Sequence, residues 1–185
     1  EVEWITTPGQ PGDVYSFAYD DLATLSWLRD PAGVERSQTT DLAGRIIETE
    51  DTDRGVTRFE HDAAGRVTRM EDATGRVVRS EHDGLGRVRA TWDEANPNGT
   101  RVEYRYDVCE AGCDNAAGEL VSLRYPVDGD WLVEHMAYDG RHQLVRHRYD
   151  IGGEVLEVVT EYDNTGNPIA RILPDGTRVE VTFDG

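Results

Sequence analysis

From residue 14 onward, apolar or aromatic side chains alternate with polar ones in short runs. Tyr15, Phe17 and Tyr19 share one parity, as do Thr57, Phe59 and His61, then Val102, Tyr104 and Tyr106, Val158, Thr160 and Tyr162, and Val179, Val181 and Phe183. Between them stand Arg58 and Glu60, Arg79 and Glu81, and Glu103 and Arg105. A period of two puts the first set on one face of a β-strand and the charges on the other. A second apolar column runs through Leu25, Ile46, Val67, Val88, Leu120 and Leu144, and Pro168 interrupts it, which predicts a bulge or a local edge there. No helical period competes with this pattern.

The strands are punctuated by turns at a step of 21 residues from Asp20 through Asp41 and Asp62 to Asp83, which becomes 24, 32 and 24 before returning to 21. An aromatic-like residue followed by Asp recurs at Tyr19-Asp20, His61-Asp62, His82-Asp83, Tyr106-Asp107, Tyr138-Asp139, Tyr162-Asp163 and Phe183-Asp184, with Thr40-Asp41 in the remaining place. In the most regular copies the Asp opens Asp-x-x-Gly, as in Asp41 to Gly44, Asp62 to Gly65, Asp83 to Gly86 and Asp163 to Gly166, where Asp bonds the backbone ahead of it and Gly takes a positive φ. About ten residues later comes a second turn signal, at Asp30 to Gly33, Asp72 to Gly75, Asp150 to Gly153 and Pro174 to Gly176. The predicted architecture is all-β: tandem antiparallel hairpins of about 21 residues each, in a sheet of roughly 14 strands wide enough to curve. We expect a single domain over 1–185, with a leading strand and turn in 1–13 and about seven units in 14–185.

Composition narrows the function. Acidic residues number 37 against 19 basic ones, a formal charge of -18 that disfavours nucleic acid and anionic membranes as partners. There is no Lys, so every cation is an Arg able to grip a carboxylate with two donors. With 37% hydrophobic residues the chain is too lean for a thick core, and no apolar run is long enough for a membrane-spanning helix. Both ends of an open sheet would expose unpaired backbone, so edge-to-edge association is expected of the isolated segment.

The candidate chemistry is weaker than the repeat. His61 and His82 occupy the aromatic column one repeat apart, which explains them structurally, though two stacked imidazoles could take a stray metal ion. His135, His142 and His147 show no ligand spacing. The recurring Asp residues read as turn formers, with Glu50 to Asp53 the densest place to look for weak calcium binding. Cys109 and Cys113 sit in a Gly- and Ala-rich loop, for which a local disulfide is preferred over free thiols. We expect no catalytic residue, no cofactor site and no metal site.

In its best copies, Asp62-Ala63-Ala64-Gly65-Arg66-Val67 and Asp83-Gly84-Leu85-Gly86-Arg87-Val88, the unit resembles the RHS or YD repeat, and the resemblance extends in register over 14–185. The departures are His61, His82 and Thr40 for Tyr, and Ala23 and His142 for Gly. The resemblance implies a segment of a spiral β-sheet shell, as in bacterial RHS and polymorphic-toxin proteins, toxin-complex shell components and teneurins. Its implied partners are the rest of the shell and an enclosed or displayed polypeptide, and its implied location is secreted or at a bacterial surface. The alternative is an extracellular module that binds carbohydrate or a cell surface through exposed aromatic and Arg columns. Segments 107–118 and 139–153 depart most from the unit and are the places to look for specific function.

Overall fold

A computed structural model describes residues 3–6, by backbone alone, and residues 14–109 and 113–181. The anchors expected at Phe183 and Asp184 lie outside the described residues. The chain divides into two compact units, one of residues up to Ser80 with Asp93–Ala95, the other of Glu81–Trp92 with residues from Asn96 onward.

The first unit holds β1 (Glu3–Thr6), β2 (Val14–Tyr19), β3 (Leu25–Arg29), β4 (Glu35–Thr40), β5 (Ile46–Asp51), β6 (Gly55–His61), β7 (Val67–Glu71) and the start of β8 (Val77–His82). Each strand pairs antiparallel with the next. The second holds most of β9 (Val88–Asp93), then α1 (Pro97–Thr100), β10 (Val102–Tyr106), β11 (Leu120–Val127), β12 (Asp130–Tyr138), β13 (Leu144–Ile151), β14 (Glu154–Tyr162), β15 (Pro168–Ile172) and β16 (Arg178–Glu180), again paired in chain order. The fold is all-β and built of hairpins, as the alternation predicts. Its only helical piece among the described residues is the turn α1, too short to show a period; Pro97 opens it and the Asn96 side chain accepts the Gly99 N–H at 3.1 Å.

Long strands lengthen the step from Asp139 to Asp163, whereas the turn holding α1 lengthens that from Asp83 to Asp107. β11 to β14 run eight or nine residues, against four to seven in the first unit. They are joined by two-residue turns, Asp128-Gly129 between Val127 and Asp130, and Gly152-Gly153 between Ile151 and Glu154, with both central residues at positive φ. Asp150 therefore lies inside β13 and does not begin a turn, contrary to the expected Asp150 to Gly153 signal. The tight Gly-Gly turn lets the strands extend past it.

One feature recurs that the alternation hides. In six hairpins the register slips by one residue immediately after the anchor turn, leaving Ser26, Ile47, Thr68, Val121, Val145 or Ile169 without an opposite number. Pro168 faces Tyr162 as Leu144 faces Tyr138, so it does not break the column. The bulge expected there belongs to every such hairpin, and a ladder already interrupted tolerates a residue with no N–H.

The covered side chains are few, and most are small: Ala170 at 0%, Ala90 at 1%, Val121 at 4%, Ala116, Ala137 and Ser16, with Met136 the one large member among the described residues. No large side chain among the described residues is completely buried, and Tyr15 and Tyr19 of the aromatic column are exposed. Within each unit this is a single layer of strands with two half-covered faces.

Candidate functional site

Six of the anchor turns among the described residues share one geometry, and Asp107, at a φ of 73° with its N–H on the Glu119 carbonyl, stands apart. The first carboxylate oxygen of Asp20, Asp41, Asp62, Asp83, Asp139 and Asp163 accepts the backbone N–H groups two and four residues ahead, at 2.8 to 3.0 Å. The main chain closes with the Asp N–H on the carbonyl four residues on, and the residue three on donates back to the Asp carbonyl. That third residue is left-handed: Gly44, Gly65, Gly86 and Gly166 at φ of 77°, 84°, 88° and 95°, and also Ala23 at 58° and His142 at 63°. The turn keeps its shape even where Gly is absent, at the expense of strain in the two exceptions.

The second carboxylate oxygen takes the Arg that follows: Arg45 Nε donates to Asp41 at 2.7 Å, Arg66 Nε to Asp62 at 2.6 Å and Arg87 Nε to Asp83 at 2.8 Å. The turn thus pairs Asp and Arg directly across the hairpin mouth. The carboxyls of Asp41, held first by the Arg45 side chain, and of Asp62, held first by the Arg66 backbone N–H, lie below the ordinary carboxylate range.

Successive turns are tied to one another. Arg45 Nη1 donates to the Asp62 carbonyl at 2.9 Å, and Arg141 Nη1 to the Asn164 carbonyl at 2.7 Å. Arg87 reaches forward to both carboxylate oxygens of Asp107, at 2.9 and 2.6 Å, and its guanidinium lies 4.3 Å from the Tyr106 ring centre. Asp107 is held down to about 2, first by Arg87 and then by the Gly118 N–H. The anchor tyrosines form a second tie: Tyr106 donates its hydroxyl to the Val88 carbonyl, Tyr138 to Leu120 and Tyr162 to Leu144, at 2.9, 2.8 and 3.1 Å. The bonds from Tyr138 and Tyr162 land on the carbonyls of Leu120 and Leu144, the column residues that precede the bulges at Val121 and Val145 one hairpin back. Where His82 replaces Tyr, its Nδ1 is buried without a partner among the described residues.

The two divergent segments meet. Cys109 and Cys113 form a disulfide, and the Cys113 sulfur accepts the Tyr138 N–H at 3.3 Å. Asp114 N–H donates to the Tyr138 carbonyl at 2.8 Å, so both main-chain groups of that anchor are taken by the loop. His142, in the next anchor turn, joins Asn115 through Nε2 at 2.7 Å and Glu119 through Nδ1 at 3.1 Å. Ala116 is buried beneath this contact.

A polar chain lies on the face of the second unit that carries the row Tyr104, Leu123, Glu134, Tyr149 and Leu156. Glu134 accepts the Tyr125 hydroxyl at 2.8 Å and meets His147 Nε2 at 2.7 Å, while Tyr149 reaches His147 Nδ1 at 3.1 Å with the two rings stacked. The chain of contacts is a means of holding a carboxylate on an apolar face. Alternation hid it, because Glu134 stands at an apolar parity.

Arg87, Arg89, Arg101, Glu103, Tyr104 and Tyr106 line an open groove of about 570 Å³, where Glu81 receives Arg89 at 2.8 Å and Arg101 at 3.3 Å. Of the expected acidic cluster, Asp51 is spent on its turn and on Arg36 at 2.7 Å. No three His, Cys, Asp or Glu side chains among the described residues converge as a metal site requires. None of the described helices is long and apolar enough to cross a membrane.

Known proteins share this pattern. The model of the RHS Repeat matches residues 41–77 and 61–93. A protein named probable deoxyribonuclease RhsA, from Dickeya dadantii (strain 3937), is 34% identical over a stretch covering 46% of this chain and 8% of its own length; RhsB of the same strain gives the same identity and coverage. Among solved structures, the TcdB2-TccC3 crystal structure superimposes on 99% of this chain and 11% of its own, with a TM-score of 0.70 at 16% identity. The Tc holotoxin pore of Photorhabdus luminescens covers 99% of this chain and 10% of its own, with a TM-score of 0.69 at 15% identity. The chain thus spans about a tenth of the length of these proteins.

Proposed function

We propose that this chain, of which residues 41–93 match the RHS Repeat, is a stretch of wall in a larger β-sheet shell that encloses or displays a polypeptide, and that it contributes structure and not catalysis. The observation that carries this is the single layer: the described strands pair in chain order within each unit, and no large side chain is fully buried. Such a sheet has no interior of its own and leaves two faces for other matter to cover. The ties from turn to turn serve the same end, since they brace neighbouring hairpins without a core. The likeness in fold to TcdB2-TccC3 and to the Tc holotoxin pore supports the reading, and a location outside the producing bacterium or on its surface goes with it.

Hydroxyl-radical footprinting of this segment, alone and within its full gene product, tests the proposal. A wall around a polypeptide predicts that one face, either that of Tyr104, Tyr149 and Leu156 or that of Arg124 and Val133, becomes protected in the full product while the other stays reactive. Equal reactivity of both faces in both settings would reject it.

A further inference from the structure

We propose that the Cys109–Cys113 disulfide is a redox-controlled latch that fastens the inserted loop onto the following repeat, so that reduction frees that junction while the regular hairpins stay closed. The chain gives this bond a small span, four residues apart in sequence, and places it beside three independent contacts to the next anchor turn. The Cys113 sulfur receives the Tyr138 N–H, Asp114 N–H donates to the Tyr138 carbonyl, and Asn115 and Glu119 hold the two nitrogens of His142. Neither cysteine is buried, and Val108 beside Cys109 is 85% exposed, so a thiolate can approach.

The chemistry balances with a dithiol as reductant. One thiolate of the dithiol attacks a cysteine sulfur and breaks the S–S bond, forming a mixed disulfide and releasing the other cysteine as a thiolate that takes up a proton. The second thiol of the reductant then loses its proton and displaces the remaining cysteine, leaving two protein thiols and an oxidised reductant; two electrons have passed to the protein. What changes is the loop. Cys113 is no longer fixed to Cys109, its sulfur leaves the Tyr138 N–H, and the contacts at Asp114 and Asn115 lose the constraint that positions them. By contrast, the turns at Asp41 and Asp62 depend on Asp and Arg alone and contain no sulfur. Local opening of this kind is what a cooperative unit of low stability allows. It gives a wall one junction that differs between an oxidising and a reducing compartment.

The test is hydrogen exchange of the full chain with and without dithiothreitol, beside the Cys109→Ser/Cys113→Ser variant. Reduction should speed exchange at least tenfold at Asp114 and Tyr138 and leave peptides covering 41–66 unchanged. The double variant should behave as the reduced protein and ignore the reductant. With the disulfide intact, Asn115→Ala should loosen the same segment, which reports on the docking contacts even if the double variant folds poorly. Exchange that is unaffected by reduction, a general rise that includes 41–66, or two free thiols by mass after air oxidation would each overturn the latch.

Discussion

Arg87 grips Asp107 with both terminal nitrogens while its Nε stays on Asp83, so one guanidinium joins the carboxylates of two successive anchor turns. A Lys gathers its three donors on one nitrogen and lacks the planar fork that spreads them over two carboxylates. Arg87→Lys should lower the melting midpoint by a few degrees although the charge is kept, and hydrogen exchange at Gly118, whose N–H rests on Asp107, should rise. Scanning calorimetry and exchange of the two proteins check this; equal midpoints would mean that the forward reach is dispensable.

The same pair sets an acid limit. Asp107 has its pKa lowered to about 2 in the folded chain, so its contribution to stability is complete above the ordinary carboxylate value of ~3.9 and is lost as pH falls toward 2. Asp41, Asp62 and Asp163 are held low as well, by Arg45, by the Arg66 N–H and by the Thr165 hydroxyl in turn, and they move stability in the same direction. Urea midpoints should be level from pH 7 to 5 and decline below about pH 4. In Asp107→Asn the decline should be shallower.

Ala23 and Gly65 stand at the same place in different turns, at φ of 58° and 84°. An L side chain in the left-handed region costs roughly 1 to 2 kcal/mol, partly offset by the greater chain entropy of Gly when unfolded. Ala23→Gly should therefore stabilise by about 1 kcal/mol and Gly65→Ala should destabilise by a similar amount, read from chemical denaturation of each. No side chain needs to move for Gly65→Ala, since the nearest atom to a new Cβ is Arg45 Cδ at 3.6 Å.

Tyr138 is partly buried, burial raises its phenol pKa, and its hydroxyl satisfies the Leu120 carbonyl. Tyr138→Phe should cost on the order of 1 kcal/mol by leaving that carbonyl unpaired. Tyr19, also an anchor but 43% exposed, should tolerate the same change with a smaller loss. A denaturation series on both variants, in which Tyr19→Phe proved the more damaging, would count against the hydroxyl as the tie.

The hairpins and their step are readable in the sequence because each depends on residue types with a local cause: Asp and Gly make the turn wherever they fall, and alternation sorts the faces. Apart from the one that Pro168 signals, the bulges are invisible there. One unpaired residue such as Thr68 or Val145 leaves the hydrophobic pattern looking continuous, and only the register of the opposite strand exposes it. Strand alternation does not announce the partners of Arg66 and Arg87, which lie four positions back around a turn. The docking of Asn115 and Glu119 on His142 joins segments 23 to 27 residues apart with no motif to announce it. The chain's departures from its unit nonetheless marked both halves of that contact.

The forward reach of Arg87 to Asp107, and of Arg45 to the Asp62 carbonyl, gives the repeat a direction, because each unit supplies the donor and its successor the acceptor. This fixes the length of chain that can be copied or deleted in one step. A duplication running from one anchor Asp to the next supplies a new donor together with a new acceptor and leaves neighbouring ties intact. A duplication of half that length leaves an Arg facing the wrong kind of turn. Growth of the sheet by whole units is therefore the change that keeps the ties between its regular turns.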